Sequence, residues 1–172
     1  MQMHKDELLN RMRQLDRDAA LLYEGDGKYH VVIVGGGALI LMGHIPRATQ
    51  DFDVIMASDA LRDLFWKYDM NAHVVAYENS FPYNYQDRLK LIWSGKKVDF
   101  YTASLEDIVI AKLCADRPQD KEDVIAVAEH LDWGVLERLA TSDDELKSSI
   151  MNERNYNDFL YTYNEFTRRY RP

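Results

Sequence analysis

Two aspartates, Asp51 and Asp53, stand two residues apart in the apolar run DFDVI. Aspartate is depleted in strands because its short polar side chain competes for backbone hydrogen bonds. A strand that carries two of them calls for a chemical reason. Alternate residues of a strand share a face, so the two carboxylates project together. At that spacing they repel, and they tolerate one another when one takes a proton or a cation sits between them. Magnesium fits, since it favours a few carboxylates together with substrate phosphates. Asp99, in KVDFY, is a third acid inside a strand, with Val98 and Phe100 taking the opposite face. Taken alone, the Asp51/Asp53 pair reads equally well as solvated acids at a strand edge, and Asp99 alone reads better as one. The three together, downstream of a glycine-rich turn, point to a metal-holding carboxylate cluster.

The elements that must position these residues can be read from periodicity. Leu8, Leu9, Met12, Leu15, Ala19 and Leu22 recur at helical spacing from about Lys5 to Tyr23, and Gly25-Asp26-Gly27 then turns the chain. His30 to Val34 is a short β-branched run suited to a buried strand. It leads into Gly35-Gly36-Gly37, after which Ala38 to Met42 supplies helix formers. The glycines therefore sit at a strand-to-helix junction, where backbone N–H groups can face an anion. HIPRATQ, from His44 to Gln50, is expected to be loop and Asp51 to Met56 a strand. A helix is expected near Ser58 to Tyr68, another short strand at His73 to Tyr77, and loop from Glu78 to Asp87. Leu89–Trp93 and Lys97–Thr102 read as a hairpin closed by Ser94-Gly95-Lys96. Beyond Thr102 the pattern is helical, opening with Ser104 and Asp107 in a capping-box-like start. Helices are expected at about Leu105–Asp116, Asp120–His130 and Gly134–Leu139. One or two more follow, the last carrying Phe159, Tyr163, Phe166 and Tyr170 at helical spacing as core. The expected class is α+β, a small mixed β-sheet flanked by helices with a helical C-terminal half. It forms one domain over residues 1–172, with a core to about 103 and a helical part from about 104.

Composition bounds the functions. At 172 residues and 47% hydrophobic, the chain suffices for a sizeable core. A net charge of −8 argues against non-specific DNA or RNA capture, which needs a basic surplus. A local patch of Lys112, Arg117 and Lys121 is compatible with that balance. The single cysteine, Cys114, excludes an internal disulfide and fits a reducing compartment. The five histidines show no metal-ligand spacing. The charged start MQMHKDELLNRMRQLDRD does not look like a secretory signal, and Val31 to Gly43 is too short to span a bilayer. A cytoplasmic protein without membrane contact is the expectation. The glycine run lacks the G-x-G-x-x-G spacing of a dinucleotide fold, and no Gly-Lys-Ser/Thr follows it.

Val34-Gly35-Gly36, a spacer, then Asp51-Phe52-Asp53 resembles the signature of the nucleotidyltransferase superfamily: a hydrophobic residue, Gly-Gly or Gly-Ser, then Asp-hydrophobic-Asp/Glu. GGGALILMGHIPRATQDFDV resembles the nucleotidyltransferase-like toxins of bacterial toxin–antitoxin and abortive-infection systems and related bacterial proteins of this length. Their Arg-x-Thr/Ser-x-Asp-x-Asp is matched by Arg47, Thr49, Asp51 and Asp53. KLCADRPQDKEDV is similar to their downstream helix motif, matched by Lys112, Arg117, Lys121 and Asp123. The chain departs at Gly37, where those toxins often carry Thr or Ser, so a phosphate-contacting hydroxyl is missing there.

The resemblance implies transfer of a nucleoside monophosphate from an NTP to an acceptor hydroxyl with magnesium. Asp51 and Asp53 would hold the metal, and Asp99 would serve either a second ion or as general base. Gly35, Gly36 and Gly37 would approach the phosphates, with Arg47, Thr49, Lys112 and Lys121 as further nucleotide contacts. The acceptor stays open among tRNA, a protein hydroxyl and a small molecule, and a cognate antitoxin is the implied partner. The competing reading is a catalytically inactive protein of the same fold that serves as a nucleotide-binding or partner-binding module.

Overall fold

The computed structural model describes residues 2–55, 58–72, 79–150 and 152–172. Helix α1 (Lys5–Leu22) buries Leu8, Met12, Leu15 and Ala19 along one stripe and carries Asp6 and Glu7 in its first turn, where acids complement the helix dipole. Strand β1 (Tyr29–Val34) follows, with Val31 to Val34 all fully buried. Such a run, apolar without alternation, marks a strand covered on both faces. It passes directly into α2 (Gly35–Leu41), so the helix takes in the three glycines as well as the expected Ala38 to Leu41.

Strand β2 (Phe52–Ile55) pairs antiparallel with β1, and β3 (Met70–Asn71) pairs parallel with β2. Between them lie a 3-10 turn at Asp59–Leu61 and α3 (Arg62–Lys67). The hairpin of β4 (Lys90–Ser94) and β5 (Val98–Thr102) completes a sheet ordered β3-β2-β1-β5-β4, with β5 parallel to β1. The mixed sheet is the expected one. The strand expected at His73 to Tyr77 lies wholly on residues outside those described.

A buried carboxylate sets the hairpin. Asp16 of α1, 6% exposed, accepts hydrogen bonds from the backbone N–H groups of Lys96, Lys97 and Val98 at 3.1, 2.8 and 2.9 Å. Its side chain fills the space beside Gly95, where a Cβ would fall 2.3 Å from the Asp16 carboxyl carbon. Gly95 is therefore dictated by the helix that packs on the turn.

The chain forms two compact units, Met1–Val74 with Leu89–Ala103, and Val75–Arg88 with Ser104–Pro172. The main division falls at Ala103/Ser104, where the pattern turns helical. The segment before Leu89 belongs to the second unit for a visible reason. Arg88 donates to the fully buried Asp107 at 2.9 and 2.8 Å and to Asn84 at 3.1 Å. Phe81 and Tyr85 are buried there as well.

In the second unit α4 (Leu105–Ala115) buries Leu105, Ile108, Val109, Ile110 and Leu113, the pattern of a central helix. The Ser104 hydroxyl caps it by accepting from the Asp107 N–H at 3.1 Å, as expected, while the Asp107 carboxylate is bound by Arg88. Helices α5 (Pro118–Val127), α6 (Trp133–Thr141), α7 (Leu146–Ser149) and α8 (Glu153–Tyr170) follow. The aromatic stripe of α8 is core, with Tyr156, Phe159, Tyr163 and Phe166 buried and the Tyr156 hydroxyl donating to the Ala140 carbonyl at 2.8 Å. Tyr170, at the helix end, is half-buried. Among the described residues no helix is long and apolar enough to cross a membrane.

Candidate functional site

The site grows from the point where β1 becomes α2. The register pairs Val34 with Asp53, which sets the Asp53 carboxylate beside the turn. Gly35 turns the chain with φ +69, in the left-handed region that favours glycine. A Cβ there would lie 3.2 Å from Asp53 Oδ2. At Gly36 a Cβ would lie 2.9 Å from Arg47 Nη2, so the guanidinium rests against this glycine. Arg47 also donates from Nη1 to the Ala48 carbonyl at 3.0 Å. Gly37 differs from both: a Cβ would meet only the Asp51 carbonyl at 3.7 Å and Ile33 at 4.0 Å, ordinary contacts.

Asp51 comes just before β2 rather than inside it, and it is exposed. Its backbone is held by Thr49. That hydroxyl, 7% exposed, accepts from the Asp51 N–H at 3.2 Å and donates to the Asp51 carbonyl at 3.1 Å. Thr49 is itself tied to the N-terminus through paired backbone hydrogen bonds with Met3 at 2.7 and 2.9 Å. Its observed work is to shape the loop that delivers Asp51. Asp53 is half-buried and accepts from Asn71 Nδ2 at 3.1 Å.

Asp99 is not part of this constellation. It pairs with His30 at the start of β1, whereas Asp53 pairs with Val34 at its end. Four residues of strand separate the two positions, about 13 Å at 3.3 Å per residue. Asp99 instead accepts from Ser94 Oγ at 2.5 Å and Lys28 Nζ at 3.1 Å, with His30 Nε2 at 4.0 Å. Burial works against its charged form, but the hydrogen bonds from Ser94 and Lys28, with the Lys28 charge, outweigh it and hold the carboxyl below its ordinary value. The structure does not bring the expected three acids together: Asp99 is a separate, ion-paired acid. The parallel β1–β5 register carries Asp99 to the wrong end of the central strand. Among the described residues, no group of three or more His, Cys, Asp or Glu side chains is disposed to hold a metal ion.

The downstream motif lies in the second unit. Lys112, with a side chain 8% exposed, makes ion pairs with Asp120 at 3.1 Å and Asp123 at 2.9 Å. Asp120 also accepts from Arg117 Nε at 2.7 Å and from the Arg117 N–H at 3.2 Å. Burial opposes ionisation of Asp120, yet the Arg117 hydrogen bond and the Lys112 and Arg117 charges hold its carboxyl below the ordinary range. Lys112, Arg117 and Asp123 thus belong to an ion network joining α4 to α5. Lys121 is exposed, 3.7 Å from Asp116, beside an open groove of about 280 Å³ that Tyr161 and Arg169 also line. Burial pushes the Cys114 thiol up to about 12, which disfavours its thiolate.

The family described as "Nucleotidyltransferase of unknown function (DUF6036)" matches residues 10–171. The chain belongs to this nucleotidyltransferase family. No curated protein matches the chain, and no solved structure matches it. The match spans both units, so the ion network of Lys112, Asp120 and Asp123 falls within the family's extent along with the Gly-Gly turn and the Asp pair. Sequence reasoning missed Asn71. A two-residue strand has no periodicity to detect, so Asn71 carries no signal in the sequence.

Proposed function

We propose that the chain transfers a nucleoside monophosphate from a nucleoside triphosphate to an acceptor hydroxyl, working from the Gly35-Gly36 turn, Arg47, Asp51 and Asp53. The observation that carries this reading is the convergence on one turn. Asp53 Oδ2 stands 3.2 Å and Arg47 Nη2 2.9 Å from the positions that Cβ atoms of Gly35 and Gly36 would occupy. An acid and a guanidinium therefore flank a backbone stripped of side chains, which suits close approach of a polyphosphate.

The residues fit magnesium. The ion takes one or two carboxylates with substrate phosphates completing its shell, and a pair of acids two apart in sequence, one exposed and one half-buried, meets that need. When bound, it would neutralise charge on the triphosphate oxygens. Asp51 and Asp53 would hold it, Thr49 fixing the backbone of the first. Arg47 would bind phosphate oxygens in bidentate fashion. The acceptor oxygen forms a bond to the α-phosphorus, the bond from that phosphorus to the bridging oxygen breaks, pyrophosphate leaves, and the hydroxyl proton passes to water.

The acceptor need not be known to test this. Protein, magnesium and cell extract are incubated with each triphosphate labelled at either the α- or the γ-phosphorus. Label from the α-position only should enter a larger product, and Asp53→Ala should abolish it. Label entering from the γ-position would show phosphoryl transfer instead. No entry from either would favour the reading as a binding module.

A further inference from the structure

Asn71 stands directly across the β2–β3 ladder from Asp53 and donates from Nδ2 to Asp53 Oδ1 at 3.1 Å. An ionised carboxylate only accepts hydrogen bonds, so the amide nitrogen, not the amide oxygen, must face it. Asparagine is disfavoured in strands, and this one lies half-buried in a strand of two residues. Its partner's other oxygen, Oδ2, is the one beside Gly35. The hydrogen bond therefore holds Oδ1 while Oδ2 is turned toward the glycine turn.

We infer that Asn71 is a positioning residue that orients the Asp53 carboxylate for a divalent cation. The inference rests on the proposed magnesium role of Asp53. Residue type supports it. A lysine or arginine at this place would neutralise Asp53 and compete with the cation, and an acid would repel it. A neutral amide donor holds one oxygen and leaves the charge in place. Groups that hydrogen-bond a metal-ligating carboxylate set its orientation, and their loss weakens metal affinity about 10–100-fold.

The test uses the full chain and manganese tripolyphosphate, which offers a divalent ion and phosphate oxygens without a base, with binding read from water-proton relaxation. Wild type should bind, and Asp53→Ala should lose binding. Asn71→Leu, of similar shape but no donor, and Asn71→Ala should bind about 10–100-fold more weakly. Their metal-free melting temperatures should stay near that of wild type, as expected for a half-buried residue of a short strand. Asn71→Gln, which keeps the amide, should recover part of the affinity. Folded Asn71→Leu and Asn71→Ala proteins that bind as wild type does would overturn the inference and leave the carboxylate site standing. Asn71→Gln as weak as Asn71→Leu would assign the effect to packing and overturn it as well. Absence of binding in wild type would remove both the metal site and the inference.

Discussion

The three consecutive glycines look alike in sequence and are held by three different constraints. Gly35 needs the left-handed backbone and sits against Asp53, so Gly35→Ala should destabilise the fold by roughly 1–2 kcal/mol from backbone strain alone. Gly36 adopts an ordinary φ, but its missing Cβ is where Arg47 rests. Gly36→Ala should displace the guanidinium and weaken triphosphate binding while changing the melting temperature little. Gly37 has room, and as a helical glycine it gains from a side chain. Gly37→Ala should be neutral or stabilising by up to about 1 kcal/mol. Chemical denaturation of the three variants checks the stability order, and a nucleotide titration separates Gly36 from Gly37. Equal losses at all three positions would contradict the distinct contacts described.

At the scale of elements, a buried carboxylate and a buried ion network each tie separate elements together. Asp16→Ala would leave the N–H groups of Lys96, Lys97 and Val98 without their acceptor, a loss of at least about 2 kcal/mol, visible as an earlier urea midpoint. In the second unit, Lys112→Met removes the cation between Asp120 and Asp123. Breaking a buried ion pair in this way costs about 3–5 kcal/mol, because like charges are left facing each other away from water. These cases also show what sequence can and cannot reveal. The mixed sheet, the hairpin and the helical second half follow from periodicity and turn residues, which are local. The place of Asp53 beside the glycine turn is legible in part because the glycines and the Asp-x-Asp lie on one short segment. The position of Asp99 is not legible, because the β1–β5 register, set by long-range pairing, leaves no trace in spacing. The ion pairs of Lys112 with Asp120 and Asp123 leave no trace in spacing, because these residues become neighbours only when α5 folds back on α4. Asn71 was invisible for the same reason, its meaning lying entirely across a ladder.

For the whole molecule, charge sets both pH response and partners. Asp99 and Asp120 are held below the ordinary carboxylate value of 3.8 in the folded protein. A depressed carboxyl contributes stability that is fully present above the unfolded value and is lost as pH falls through the folded one. Stability should therefore be flat with respect to these two groups above about pH 5 and decline below about pH 4. The acid limb should be shallower in Asp99→Asn and Asp120→Asn, as read by melting temperature against pH. A net charge of −8 further predicts weak retention on polyanionic resin, so any nucleic acid that binds should do so through a local site.

The central claim, a magnesium–triphosphate site at Asp51 and Asp53, is tested most directly by melting temperature. The measurement compares wild type and Asp51→Ala/Asp53→Ala with magnesium and each of the four ribonucleoside triphosphates. A ligand that binds the native state stabilises it by about 2.7 kcal/mol at a hundredfold excess over Kd. Removing two repelling acids can itself shift the baseline, so the ligand-dependent increment is the quantity compared. The account predicts a magnesium-dependent increment with at least one triphosphate in wild type and none in the double variant. An increment that survives in the double variant, or none with any triphosphate in wild type, would contradict it.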